Sequence, residues 1–278
     1  MTATTEDLAR ATGWPLVVNS VLASTFGVVG ALFFDLVGRM IAAELAGLDP
    51  VLFHNRVVLI GSNDVALAGG ALASLVAGAF FLALYPGSRN HDASRLAVLW
   101  LILHCFRQGL VPMALAPLSD DSDMSRALAA LELPGGIDVI VGAAGAAGLL
   151  LISLAAAPAF LAFANHQRDI STPTKRAVLM LRVGVVPGIA GGILAVPFFI
   201  PDSGIGLVPS LPTFGLFTLA TLLAALGVKS VEIRRDPDMT PRFSWALLAT
   251  LVVTMLVFRF ALARGIPIPP DPESFFFT

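Results

Sequence analysis

The feature that most limits how this chain can fold is its series of long apolar runs joined by short polar connections. A helix needs roughly 20 apolar residues to cross the ~30 Å hydrocarbon core of a bilayer, and several runs reach or approach that length. Only 13% of the 278 residues are charged, whereas soluble domains carry about 25%. The sequence therefore predicts an all-α fold, a polytopic transmembrane helical bundle.

Seven segments qualify, or nearly qualify, as membrane spans. Inside a bilayer every backbone polar group needs a partner within the protein, which favours helices for runs this long. The sixth segment is short and the fifth contains Pro187 and Pro197, so a count of about seven spans stands beside an alternative of six. The predicted spans are Pro15–Phe34, Val65–Tyr85, Leu96–Leu118, Ile137–Ala164, Ala177–Ile200, Pro212–Val228 and Trp245–Ala263.

Basic residues in the connections predict an orientation, because cytoplasmic loops carry an excess of Lys and Arg. With seven spans, ten basic residues fall on the side of the N-terminus and three on the other side. We therefore expect a multi-pass protein of the bacterial cytoplasmic (inner) membrane, with its N-terminus in the cytoplasm and its C-terminus outside. Residues 1–278 would form a single integral membrane domain, with a cytoplasmic segment at 1–14 and an extramembrane, Pro- and Phe-rich tail at 264–278. The ten are Arg10, Arg89, Arg95, Arg168, Lys175, Arg176, Lys229, Arg234, Arg235 and Arg242, and the three are Arg56, Arg126 and Arg264.

Two further properties of the composition narrow the classes of function. The formal net charge of −2 gives no sign of a nucleic-acid partner. The single cysteine, Cys105, excludes an internal disulfide and any CxxC metal or redox motif. The expected partners are therefore the lipid bilayer and other membrane subunits.

An acid and a base stand four residues apart in FFDLVGRMIAAELAG, at the end of the first apolar run. Asp35 and Arg39 share one face of a helix, because residues i and i+4 are neighbours on its surface. An isolated charge inside a bilayer costs at least about 2.5 kcal/mol, and a pair of opposite charges can neutralise itself. The sequence predicts an ion pair, and leaves open whether it is a structural salt bridge or part of a functional site.

The same stretch resembles the signature helix of membrane-embedded site-2 metalloproteases, the M50-like family. That helix reads H-E-x-G-H, followed by small apolar residues and a glycine. In DLVGRMIAAELAG, residues 35–47, Gly38 and Gly47 match the glycines of that helix, and its zinc-binding histidines fall on Asp35 and Arg39. The resemblance implies a degenerate relative that has lost its zinc motif.

The departures from this motif bear on whether the chain is an enzyme. The catalytic glutamate of the family falls on Leu36, and leucine cannot act as a base. Arg39 cannot ligate a metal, whereas zinc catalysis needs three protein ligands and a base near the bound water. The resemblance would put the third ligand, an aspartate, at Asp138 in LPGGIDVIVG. We therefore predict no catalytic residue and no metal, in a pseudoprotease-like chain.

A second polar group lies in the third predicted span, where His104, Arg107 and Gln108 stand at i, i+3 and i+4. They share one helix face, which we expect to point inward because charge facing lipid is expensive. His104 is a candidate cofactor ligand, for a haem or a chlorophyll-type pigment, or a proton relay. The alternative is a hydrogen-bond network between helices, and the sequence requires no cofactor. The predicted intramembrane polar cluster consists of Asp35, Arg39, His104, Arg107, Gln108 and Asp138.

The acidic loop SDDSDMSRAL, residues 119–128, admits two interpretations. Asp120, Asp121 and Asp123 have the oxygen ligands that a hard cation prefers, but the spacing and the closing glutamate of an EF-hand are missing. The alternative is an acidic loop on the outer side that starts a helix. We favour the helix-starting loop, because it does not need the ligand spacing of a cation site.

Small residues are dense in three stretches, at 66–79, 141–148 and 188–195. They let helix backbones approach closely, which drives helix association in lipid. These stretches either pack the helices of the chain against one another or face a partner subunit or a flat cofactor. The tail offers a further contact, because the three phenylalanines Phe275, Phe276 and Phe277 either enter the lipid interface or dock on another subunit.

Taken together, these features predict a non-catalytic integral membrane protein, an accessory or structural subunit of a larger bacterial membrane complex. The buried charges and the proline-interrupted fifth span favour an alternative, a secondary transporter or channel-like protein. A further alternative is an intramembrane metalloprotease-like enzyme or a cofactor-binding membrane subunit.

Overall fold

The computed structural model of the protein describes residues 13–60, 63–85, 93–199, 218–228, 231 and 242–267. Most of the N-terminal segment, the start of the sixth predicted span and the three tail phenylalanines therefore lie outside the described residues. The helices are α1 (Trp14–Leu45), α2 (Ala68–Leu84), α3 (Ala93–Leu115), α4 (Asp123–Ala130), α5 (Ile137–Leu161), α6 (Pro173–Met180), α7 (Val186–Phe199), α8 (Thr218–Gly227) and α9 (Trp245–Ala261).

The prediction of a helical fold with apolar helices of membrane-spanning length is confirmed. Within the described residues, five helical segments are long and apolar enough to cross a bilayer. Short 3₁₀ turns extend α2 and α3, and a π-helical turn joins α6 to α7. The apolar helices α8 and α9 are shorter in the described residues. The five long segments are Trp14–Leu45, Asp64–Leu84, Ala93–Leu118, Ile137–Leu161 and Pro173–Phe199.

Helix α1 continues past Phe34, the predicted end of the first span, to Leu45. It ends where Gly47 adopts a φ of +72°, a left-handed conformation that glycine tolerates because it has no Cβ. The amide of Gly47 donates to the carbonyl of Glu44, and the amide of Leu48 donates to that of Ala43. This pair of bonds is a Schellman motif, which satisfies carbonyls at the end of a helix.

The fifth span is distorted by its prolines but not interrupted. A π-helical turn at Leu181–Val185 precedes Pro187, and the helix then continues through Pro197 to Phe199. Proline removes one backbone donor and crowds the preceding turn, so a local change of helical pitch is its expected effect. The polypeptide from α6 to α7 therefore forms one long apolar element.

Glycines set the closest helix contacts. A Cβ on Gly38 would collide with the carbonyl of Gly69 and with Ala73, so α1 and α2 cross backbone to backbone. In α5, a Cβ on Gly145 would lie 2.8 Å from the carbonyl oxygen of Leu110. In α7, one on Gly191 would lie 2.6 Å from the Cβ of Ser24. All three small-residue stretches therefore pack against helices of the same chain.

A small antiparallel sheet, which the sequence reading missed, lies at one end of the bundle. Its strands are β1 (Asp49–Leu52), β2 (Val57–Ile60) and β3 (Ile266–Pro267), in the order β2-β1-β3. Strand β1 follows α1, and β3 follows α9, so the pairing of Leu52 with Ile266 brings the C-terminal ends of these two helices together. We call the end of the bundle that carries these three strands the sheet end.

Side chains at the turn of the β1–β2 hairpin fasten the sheet to α7 and α9. His54 is buried, and its Nε2 lies 2.9 Å from Nη1 of Arg259. The side-chain amide nitrogen of Asn55, Nδ2, donates to the backbone carbonyl of Phe199 at 2.8 Å. The sheet therefore joins elements that are far apart in the sequence.

Candidate functional site

Two carboxylates from different helices hold the side chain of Arg39. Its Nε lies 2.9 Å from Oδ2 of Asp35, one turn earlier in α1, and its Nη1 lies 2.7 Å from Oδ2 of Asp123. Exposure of the side chains rises from 4% for Asp35 to 25% for Arg39 and 38% for Asp123. Asp123 therefore lies closest to the solvent at the sheet end, and the carboxylate of Asp35 is the buried member of the cluster. We call these three residues the ion triad.

Helix α4 supplies Asp123 and is itself held in place by polar contacts. Ser122 caps the helix by accepting from the amide of Ser125 at 3.2 Å. On the exposed face, Nη2 of Arg126 lies 2.6 Å from Oδ1 of Asp64, in the turn that precedes α2. The acidic loop thus starts a helix, and that helix lies across the sheet end of α1 and α2.

The buried carboxylate of Asp35 sits where Gly70 of α2 has no side chain. A Cβ on Gly70 would collide with Oδ1 of Asp35 and would lie 2.9 Å from Cγ of Arg39. Within the described residues Oδ1 is buried and accepts no hydrogen bond. Ser74, one turn further along α2, is fully buried, and its hydroxyl has no partner there either. The pair predicted between Asp35 and Arg39 thus leaves one carboxylate oxygen unused.

His104 lies deeper in the bundle, on α3. Its ring is 1% exposed, stacks on Trp100 with a centroid distance of 5.5 Å, and places Nε2 3.2 Å from Oγ of Ser24. On the α1 side, a Cβ on Gly27 would lie 2.8 Å from Cδ2 of the ring. The ring is therefore enclosed by α1 and its own helix, and ligation of a haem or pigment through Nε2 would require displacing Ser24.

A chain of hydrogen bonds continues from Trp100 to the distorted fifth span. Nε1 of Trp100 donates to Oγ of Ser20 at 2.9 Å, and Ser20 donates to the carbonyl of Val183 at 2.5 Å. In an α-helix that carbonyl would accept from the amide of residue 187, but Pro187 has none. Ser20 supplies the missing donor, so a polar chain joins α1, α3 and the π-helical turn.

The six residues of the predicted intramembrane cluster do not all meet at one point. Ser24, the partner of His104, precedes Asp35 by eleven residues on α1, a separation of about 16 Å along the helix. Arg107 and Gln108 are half-buried on α3. Asp138 lies in the first turn of α5, where a carboxylate favours the helix N-terminus. Asp35 and Arg39 form the predicted ion pair.

The residues aligned with the metalloprotease motif occupy different surroundings. Leu36 is buried in an apolar cluster with Val29, Leu32 and Phe198. No group of three His, Cys, Asp or Glu residues suited to a metal occurs within the described ranges. In this part of the chain Asp35 therefore has no such group of side chains around it.

Sequence reasoning missed several residues that complete the polar contacts. Ser20, Ser24 and Ser74 look like ordinary small residues in a membrane helix, and only the facing helix reveals their roles. Asp123 was noted only as part of an acidic loop. Serine spacing gives a partial signal, since Ser20 and Ser24 are i and i+4 on one face of α1.

A comparison of the chain with protein-family models, with curated proteins and with solved structures finds no match. What the protein does must therefore be inferred from its own residues and contacts.

Proposed function

We propose that this chain is a non-catalytic integral membrane protein, an accessory or structural subunit of a larger bacterial membrane complex. The observation that carries the proposal is the pairing of Arg39 with both Asp35 and Asp123. If the resemblance to M50-like proteases reflects ancestry, these ion pairs stand where zinc and its ligands would be. The acid at the first ligand position neutralises the base at the second instead of binding a metal.

The surface of the bundle supports a membrane setting and leaves room for partner helices. Large apolar side chains of α2, α5, α7 and α9 are exposed at spacings that cover whole helix faces. Exposed apolar patches of this size mark contact with lipid or protein. The exposed side chains include Leu72, Val76, Phe80, Ile140, Leu151, Ile193, Val253, Leu256 and Phe260.

Pairing of β1 with β3 supports seven spans rather than six. Both strands follow their helices closely, so α1 and α9 end at the same face of the membrane. An even number of crossings must then separate the two ends. Helices α2, α3, α5 and the Pro173–Phe199 segment are long and apolar enough to provide four of these crossings. The apolar helices α8 and α9, which are shorter in the described residues, would provide the other two. With the bias of basic loops, the N-terminus lies in the bacterial cytoplasm and the sheet end outside.

A disulfide between paired strand positions tests this arrangement. In a Cys105→Ala background, Leu52→Cys combined with Ile266→Cys should form a cross-link under mild oxidation, because these residues face each other in the sheet. The control pair, Val57→Cys with Ile266→Cys, has its cysteines on strands that do not adjoin. Cross-linking of the control alone would contradict the topology.

The accessory role is tested by the mass and composition of the native particle. The protein is purified from its own membranes in a mild detergent, and the complex is weighed and its subunits identified. A large particle with defined companions is the expected result. A bare monomer or homodimer would overturn the proposal.

A second candidate function, a transporter or channel-like protein, is favoured by the π-helical turn beside Ser20 and Trp100. Such turns often occur at functional sites. Solute flux into vesicles would be measured for the unaltered protein and for the variants Asp35→Asn and Arg107→Gln. The control, Arg126→Gln, alters only an exposed ion pair. Loss of flux in the first two variants but not in the control would favour this candidate over the accessory role.

A further inference from the structure

We propose that the end of the bundle opposite the sheet end carries a binding surface for the phosphate headgroups of anionic phospholipids. Its members are Arg168, in the connection between α5 and α6, and Lys175 and Arg176, in the first turn of α6. We call these three residues the basic surface. The inference rests on the membrane setting of the helices and not on the accessory role, so the two proposals can fail separately.

The depth of the basic surface follows from how α1 packs against the segment from α6 to α7. Ser20 contacts Val183 and a Cβ on Gly191 would meet Ser24, so the two helices run in the same direction. Trp14, at the start of α1, precedes Ser20 by about 9 Å along its helix. Lys175 precedes Val183 by about 12 Å along its own helix. Trp14 and Lys175 therefore lie at similar depths.

Exposed tryptophans place this depth at the edge of the bilayer. Nδ2 of Asn19 donates to the carbonyl of Arg242 at 2.7 Å, so α1 and α9 begin at the same end of the bundle. Trp14 and Trp245, the first residues of these helices, are 77% and 74% exposed. Tryptophan is enriched where the hydrocarbon core meets the headgroups. The basic surface therefore lies at the level of the lipid phosphates.

The three positive charges of the basic surface are not neutralised by carboxylates within the described residues. Nζ of Lys175 donates to the backbone carbonyl of Arg168 at 2.7 Å, which holds these two residues together. The guanidinium of Arg176 donates to the backbone carbonyl of Val228. No ion pair within the described residues involves any of the three basic side chains. The surface therefore keeps its positive charge.

The nearest acidic residue in the sequence does not change this balance. Residues 162–182 contain one acidic residue, Asp169, and its Oδ2 accepts from the backbone amide of His166 at 3.0 Å. At the sheet end, by contrast, carboxylates pair with both Arg39 and Arg126. The unpaired positive charge at the opposite end fits a ligand that is itself negative.

An anionic phospholipid fits the basic surface in charge, depth and access. Phosphate oxygens accept charge-assisted hydrogen bonds from Arg and Lys, and each basic residue near an anionic membrane surface strengthens the attraction by about fivefold. Arg168 is exposed, and Lys175 and Arg176 are partly exposed, so a headgroup can reach them. A bilayer supplies headgroups at this depth, whereas a free phosphate would have to bind from solution.

The test is the response of the full chain in detergent to phosphatidylglycerol. The unfolding temperature is measured while phosphatidylglycerol replaces phosphatidylcholine in mixed micelles at constant total lipid, because a ligand of the folded state raises it. We expect a rise that saturates and that added NaCl weakens. Arg168→Gln and Lys175→Gln should each raise the half-saturating fraction of phosphatidylglycerol by about fivefold.

Matched controls separate the basic surface from the net charge of the protein. Arg126→Gln removes the same charge at the sheet end and should keep the response of the unaltered protein. Arg168→Lys keeps the positive charge and should keep most of the response. Because Arg168 is exposed, Arg168→Gln leaves the core intact and decides alone if Lys175→Gln does not fold.

Three outcomes would overturn the proposal. The first is an unfolding temperature that rises no more with phosphatidylglycerol than with phosphatidylcholine. The second is a loss of response in Arg126→Gln as large as that in Arg168→Gln, in which case net charge alone is responsible. The third is an equal rise with inorganic phosphate in place of phosphatidylglycerol, in which case the ligand is a free anion and not a lipid.

Discussion

The hydroxyl of Ser20 donates to the carbonyl of Val183 at 2.5 Å, four residues before Pro187 in the sequence. One helix thereby replaces a backbone donor that another helix lacks. In a bilayer no water is available to donate to the free carbonyl. Proline is tolerated in a membrane helix because side chains of neighbouring helices can donate to it instead.

We expect Ser20→Ala to lower the free energy of unfolding in detergent by about 2 kcal/mol. The change leaves the carbonyl of Val183 and Nε1 of Trp100 without their observed partner. Ser153→Ala is the control, because the hydroxyl of Ser153 bonds only within its own helix among the described residues. Adding Pro187→Ala to Ser20→Ala restores a backbone donor and should recover part of the loss. Equal losses for Ser20→Ala and Ser153→Ala would contradict the interpretation.

Removing the two members of the α1 ion pair should have unequal effects. Arg39→Leu leaves the buried carboxylate of Asp35 uncompensated, which should cost about 3–5 kcal/mol. Asp35→Leu should cost about 1 kcal/mol, because Arg39 is partly exposed and keeps Asp123. Chemical denaturation of both variants and of the double variant measures the difference, and the double variant should resemble Asp35→Leu. An equal loss for the two single variants would contradict this order.

The crossing of α1 and α2 should tolerate no side chain at Gly38. Gly38→Ala places a methyl group against the backbone of Gly69, and we expect a loss of about 1–3 kcal/mol in stability from overpacking. Gly192→Ala is the matched control, since nothing lies within 4 Å of its Cβ position, and it should be neutral or stabilising by up to ~1 kcal/mol. Thermal unfolding of both variants provides the measurement. If Gly192→Ala lowers the stability more than Gly38→Ala does, the close crossing of α1 and α2 is not what excludes a side chain at residue 38.

The helical character of the chain could be predicted because it depends on local composition. Runs of about 20 apolar residues leave few alternatives in a bilayer. The predicted first span ends at Phe34 because hydropathy falls at Asp35, whereas the helix itself continues to Leu45 and is followed by Gly47 with a positive φ. Polarity marks the edge of an apolar run, whereas glycine with positive φ marks the end of the helix.

The hairpin was missed although its sequence carries a signal. Val57 and Val58 favour a strand, and the turn between β1 and β2 contains Asn55. Strands of four residues are short, and next to membrane helices they are easily read as loop. Pairing of β1 with β3 joins residues more than two hundred positions apart, which one sequence cannot reveal.

The polar contacts were predicted where they are local and missed where they are not. Asp35 and Arg39 are one helical turn apart, so their ion pair follows from spacing. The contact between Arg39 and Asp123 depends on how α4 folds back over the sheet end. The partner of His104 likewise comes from α1. Tertiary packing decides both contacts.

The three-stranded sheet has a consequence for the order in which the protein matures. Strand β1 is synthesised early and β3 near the end of the chain, yet they pair edge to edge. The edge of β1 that pairs with β3 therefore stays unpaired until β3 has been synthesised. A chain that ends before β3 would leave this edge open, and an unpaired strand edge is a template for pairing with another chain.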